Sequence, residues 1–101
     1  MQYIENKTFD YIQTGDSAEL TRKLTTQDIE LFAVMSGDVN PAHVDAEYAR
    51  SDVFHRVIAH GMWGGSLISA VLGTELPGPG TIYLNQDLRF RHPVGLGETV
   101  T

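Results

Sequence analysis

Asp38 and His43 stand five residues apart in the stretch Ser36-Gly37-Asp38-Val39-Asn40-Pro41-Ala42-His43. A carboxylate and an imidazole can pass protons to and from water near neutral pH, and a positioned group of this kind contributes roughly 10²- to 10⁴-fold to a rate. The Asn40-Pro41 step between them does not belong in a regular helix, because proline fixes its own φ and turns the residue before it away from the α region. The spacing therefore predicts a turn that presents the two side chains together, as candidates to share one water. The same residue types also have a purely structural use, since Asp and Asn at turns bond nearby backbone amides.

The elements that must hold this turn are legible from periodicity and punctuation. Gly15-Asp16 is a turn signal, and the alternation of Ala18, Leu20 and Leu24 predicts a strand over residues 17–24. Thr25 and Thr26 as caps, Asp28 and Glu30 in the first turn, Ile29, Phe32 and Ala33 on one face and Gly37 as the stop predict a short amphipathic helix. Asp45 caps a second, brief helix through Arg50, with Tyr48 and Ala49 facing inward, and residues 51–58 read as irregular. From Gly61 onward, Met62, Trp63, Leu67, Ile68, Ala70, Val71 and Leu72 are apolar on almost every side, which predicts a buried helix ending at Gly73. Gly64 and Gly65 inside it cost up to roughly 1 kcal/mol each against alanine, and so point to a close approach by another backbone or a ligand.

After the turn-rich Leu76-Pro77-Gly78-Pro79-Gly80, the residues Ile82, Leu84, Leu88 and Phe90 alternate with Tyr83, Asn85, Asp87, Arg89 and Arg91. That pattern predicts a half-buried antiparallel strand, and residues 98–101 begin another. A buried helix flanked by strands is an α+β layer.

At 101 residues the chain is one domain, residues 1–101, and its 42% hydrophobic and 20% charged residues are the composition of a folded protein. A net charge of −6 argues against a general nucleic-acid binder, and Arg89, Arg91 and His92 are the only concentrated positive charge. Without cysteine there is no disulfide, thiolate nucleophile or cysteine metal site, and nothing requires an oxidising compartment. The start lacks the order of a signal peptide, and the longest apolar region is internal and shorter than the roughly 20 residues that span a bilayer. The expectation is a cytoplasmic protein with no membrane and no nucleic-acid partner.

Two separated blocks, residues 36–43 with Val44-Asp45 and Tyr48-Ala49, then Ile58-Ala59-His60-Gly61-Met62, resemble in order the MaoC-like (R)-specific enoyl-CoA hydratases. The likeness runs from Phe9 to Thr101, and is similar above all to the hydratase part of bifunctional enoyl-CoA hydratase/phosphate acetyltransferases. It implies a hot-dog fold, an antiparallel sheet wrapped around one long central helix. Because such domains continue with further strands, the chain reads as an N-terminal portion truncated at its C-terminus. The resemblance further implies hydration of trans-2-enoyl-CoA to (R)-3-hydroxyacyl-CoA, an acyl-CoA thioester as substrate, no cofactor and a homodimer. It assigns catalysis to Asp38 and His43 without deciding which is base and which is acid. The amide of Gly61, at the positive end of the buried helix, would hold the thioester oxygen. Asn40 and Ser69 would support the pair.

Two other readings use the same residues: a hot-dog thioesterase, and a non-catalytic module that binds acyl thioesters or only assembles. A metal site built from Asp38, His43, Asp45, His55 and His60 lacks any recognised ligand spacing, so no metal is expected. His60 reads as a structural histidine at a helix entry, and His55 and His92 as surface residues. No dinucleotide-binding, P-loop or serine-elbow pattern occurs.

Overall fold

The computed structural model describes residues 4–101 and is α+β. Its contacts divide into two units: residues through Leu20 with Gly65–Leu88, and Thr21–Gly64 with Arg89–Thr101.

The second unit contains β1 (Arg22–Lys23), α1 (Thr26–Ser36), α2 (Pro41–Val44), α3 (Ala46–Ser51), the start of α4 (Gly61–Ala70) and β2 (Thr99–Val100). β1 and β2 pair antiparallel with Arg22 opposite Val100 and Lys23 opposite Thr99. The expected strand over 17–24 is thus only two residues long, because cross-strand bonding is confined to the end that meets β2.

α1 starts where the threonines predicted. The Thr25 hydroxyl accepts from the Asp28 amide at 3.1 Å while the Asp28 carboxylate accepts from the Thr25 amide at 3.0 Å, a reciprocal capping box. That backbone bond is the main reason the Asp28 carboxyl titrates below its ordinary 3.8, with the Thr25 hydroxyl and the charge of Arg22 adding to it and burial opposing it. The helix stops at Gly37, whose φ of 79° is a left-handed conformation that glycine adopts without a Cβ penalty. Ile29 and Ala33 are buried and Phe32 is half-buried, as the one-face spacing requires.

α2 and α3 pack together, and α2 also meets α1. The Asp45 carboxylate caps α3 through the amides of Glu47 and Tyr48 at 3.0 and 3.1 Å. Ala49 is fully buried, whereas Tyr48 is exposed: a six-residue helix turns only one narrow stripe to the core. Leu24, Ala42, Ile58, Ala59 and Trp63 are the other buried hydrophobic residues among those described.

α4 begins at Gly61 as expected but is not buried all round, for Trp63 is buried while Met62 and Ile68 are exposed. Gly64 has open space where a Cβ would stand. A close approach is found at Gly61, where a Cβ would come within 3.2 Å of the Phe90 ring.

In the first unit the helix does not end at Gly73 but continues through a wider π-type turn, Val71–Glu75. One glycine weakens a helix by up to roughly 1 kcal/mol without ending it, whereas the residue before a proline is driven out of the α region, and Leu76 at φ −155°, ψ 117° has left it. Phe9–Tyr11 forms a single 3-10 turn, and the Asp16 carboxylate accepts from the Gln13 amide and Lys7, which hold its pKa low in that order. Gly78 at φ 91° lies so near the Glu5 carbonyl that a Cβ would fall 2.6 Å from it.

Residues 81–91 form neither strand nor helix. A strand exists by its ladder, and among the described residues none pairs with these, so Ile82, Leu84 and Phe90 remain exposed. Arg89, Arg91, His55 and His92 are exposed as expected. Among the described residues no helix is long and apolar enough to cross a membrane.

Candidate active site

The turn between α1 and α2 is a chain of local bonds. The Ser36 hydroxyl donates to the Phe32 carbonyl at 2.7 Å and accepts from the Asp38 amide at 3.1 Å. The Asp38 carboxylate accepts from the Asn40 amide at 3.2 Å, and the Asn40 side-chain oxygen accepts from the Ala42 amide at 3.0 Å. Asn40 is therefore the N-cap of α2, with Pro41 opening the helix. His43 follows within the same helical turn.

The His43 ring is fixed from the other side by the segment before α4. Ile58 bridges Gly95 antiparallel, with the Ala59 amide bonded to the Val94 carbonyl at 2.8 Å and the Leu96 amide to the Val57 carbonyl at 3.1 Å. In such a pair the residue between the two bonds turns its own amide and carbonyl away from the partner. The Ile58 carbonyl is thereby free to accept from His43 Nδ1, 2.8 Å away. A carbonyl only accepts, so Nδ1 carries the hydrogen and the neutral ring keeps its lone pair on Nε2.

His60 completes the arrangement. Only 3% exposed, its ring lies 4.1 Å from that of His43, tilted 30°, and 4.7 Å from that of Phe32. Its Nε2 lies 2.8 Å from the Asp38 backbone carbonyl, to which by the same logic it donates. Among the described residues His60 Nδ1 is buried without a hydrogen-bond partner, at a cost of roughly 1–3 kcal/mol for an unsatisfied polar atom. Donor atoms of Asp38, His43 and His60 all lie within 4.8 Å of one another. The turn and the entry of α4, 22 residues apart, thus meet through one imidazole.

A family model described as MaoC like domain matches residues 9–101. The chain belongs to this MaoC-like family. The MaoC-like chain is 55% identical over 93 residues to the (R)-specific enoyl-CoA hydratase of Rhodospirillum rubrum, covering 92% of the chain and 65% of that protein. It is 42% identical over 92 residues to the 3-hydroxybutyryl-CoA dehydratase of Methylorubrum extorquens, covering 91% of the chain and 59% of that protein. Among solved structures, an unliganded R-hydratase from Pseudomonas aeruginosa aligns with TM-score 0.89 and 51% identity over 93% of this chain and 61% of its own. The chain thus spans less than two thirds of the length of each of these three relatives. Its fold is the α+β hot-dog class of the solved (R)-hydratases it matches. The relatives bear on the hydratase likeness and not on the likeness to a bifunctional protein.

Of the residues singled out in the sequence, Asp38, Asn40 and His43 come together, and Gly61 follows directly on His60. Ser69 lies on α4, in the first unit. His60 has the features of a structural histidine at a helix entry, buried and bonded to the Asp38 backbone, and what its sequence neighbours do not convey is which segment its ring meets.

The His43 and His60 rings face each other with a 30° tilt. One nitrogen of each ring is also committed to a backbone carbonyl. An apolar cavity of about 170 Å³ adjoins His43, lined also by Ile29, Val44, Ala46, Val57 and Leu96. It is smaller than the roughly 300–1,000 Å³ of a typical small-molecule site and would take only part of a ligand.

Proposed function

We propose that the full protein hydrates trans-2-enoyl-CoA thioesters to (R)-3-hydroxyacyl-CoA, and runs the reverse dehydration, with Asp38 and His43 acting on one water. The observation that carries this reading is the double tie of His60, which brings the Asp38 turn and His43 to the start of α4. The names of the relatives supply the substrate class.

In this reading the pair takes a proton from water as its hydroxyl adds at C3. The π electrons shift onto the thioester oxygen, and a proton is returned to C2. The Nδ1–H form of His43 favours Nε2 as its proton-handling atom. Addition of hydroxyl and proton from one water on one face of the bound enoyl group would be syn. The Gly61 amide, at the positive end of α4, would meet the charge on the thioester oxygen, a donation worth roughly 3–4 kcal/mol. Asn40 would keep the turn in shape.

The domain extends over residues 1–101 in this reading, and the protein is a cytoplasmic homodimer. Association is favoured by large apolar side chains that are nearly fully exposed, Phe9 at 90% and Leu84 at 87% among them, since burying such a side chain gains roughly 1.5–3 kcal/mol.

The test is to replace Asp38 with Asn and His43 with Gln in the full-length protein and follow the loss of enoyl absorbance with a crotonyl thioester. Each substitution is expected to lower kcat about 10²- to 10⁴-fold. Wild-type rates in either variant would remove the assignment, and release of free CoA in place of hydration would mark a thioesterase.

A further inference from the structure

We infer that His60 is a positioning residue for the Asp38–His43 pair: its Nε2–H pins the Asp38 backbone and its ring face braces the His43 ring. The inference rests on the reading of that pair given above.

The His43 imidazole has one directional restraint on its own side chain, the bond from Nδ1 to the Ile58 carbonyl. A single bond leaves the ring free to rock about it, and the ring of His60 at 4.1 Å closes that freedom from one face. Asp38 sits at an exposed turn, where its carboxylate is bonded only locally, to the Asn40 amide. The bond from His60 Nε2 to the Asp38 carbonyl is the contact that ties this turn to a residue distant in the chain. Phe32 of α1 packs on His60 in turn, so the brace is itself held.

His60 is held as a support: Nε2 is engaged by a carbonyl, Nδ1 has no hydrogen-bond partner among the described residues, and the ring is 3% exposed. It acts on the reacting atoms through its neighbours and not by touching them.

Three substitutions in the full-length protein separate donation from stacking. Gln reaches far enough to keep a donor near the position of Nε2, Asn is too short, and Phe keeps a ring without a donor. The expected result is a loss of about 10- to 100-fold in kcat, with KM within about twofold, for His60→Asn and His60→Phe, because a displacement near 1 Å can cost about 10²-fold. His60→Gln should recover to within about fivefold of wild type. Wild-type kcat in both Asn and Phe variants, or a Gln variant no better than Asn, overturns the inference. Asp38→Asn run in parallel distinguishes the two levels. Full activity there overturns the pair and this inference with it, while its loss beside wild-type His60 variants overturns this inference alone. Should the variants fail to fold, the imidazole nitrogen shifts of the wild-type protein still decide: a hydrogen on His60 Nε2 is expected, and one on Nδ1 with a bare Nε2 overturns the bond to Asp38.

Discussion

A backbone carbonyl can accept a hydrogen bond and never donate one, and at this site that rule sets the hydrogen on two imidazoles at once. Ile58 fixes it for His43 and Asp38 for His60. Asn40 matters at the same scale, because the side chain that caps α2 also belongs to the turn that carries Asp38, and His43 is inside the helix it caps. Asn40→Ala should cost about 1 kcal/mol of stability, the usual loss for an N-cap, and, on the proposed roles of Asp38 and His43, should lower kcat as well because both hang on that turn. Chemical denaturation and steady-state rates on the same sample would check both. The Asp38–His43 spacing was legible because proline and asparagine write their geometry locally. His60 was not, since nothing within a few residues of it says that its ring will meet a segment 22 positions earlier.

At the scale of elements, local chemistry was again the legible part. α1 began at the threonines and ended at the glycine, and α3 began after Asp45, as their caps dictated. The stretch over 81–91 shows why strands were harder: alternation prepares two faces, but only a neighbouring ladder makes a strand, and that information lies outside the segment. The capping box of α1 gives a prediction with a definite sign. Asp28 titrates lower folded than its ordinary 3.8, so its stabilisation is complete above that value and is lost as pH falls through the lower, folded one. Thr25→Ala should cost about 1 kcal/mol at neutral pH. Because the residue-25 amide remains, Thr25→Ala should change the fall in stability below pH 3.8 only slightly, whereas Asp28→Asn should remove the share due to Asp28, as unfolding curves at several acid pH values would measure.

At the scale of the whole molecule, the α+β hot-dog class was readable from a helix flanked by strand patterns together with two motif blocks, and similarity to solved hydratases bears it out. What the pattern did not convey was how much apolar surface this chain leaves uncovered, for an alternating segment reads the same whether or not its face is met. The central claim joins elements distant in the chain: a carboxylate after α1 and an imidazole in α2 serve one water at the entry of α4. Two groups acting on one water form a unit, and groups that act as a unit are strongly non-additive when removed. The measurement that tests this most directly is a double-mutant cycle in the full-length protein, comparing kcat of Asp38→Asn, His43→Gln and the combination. The account predicts that the double variant is no slower than the worse single one within about threefold, as for other cooperating catalytic groups. Losses that multiply, each substitution costing the same whether or not the other is present, would contradict it.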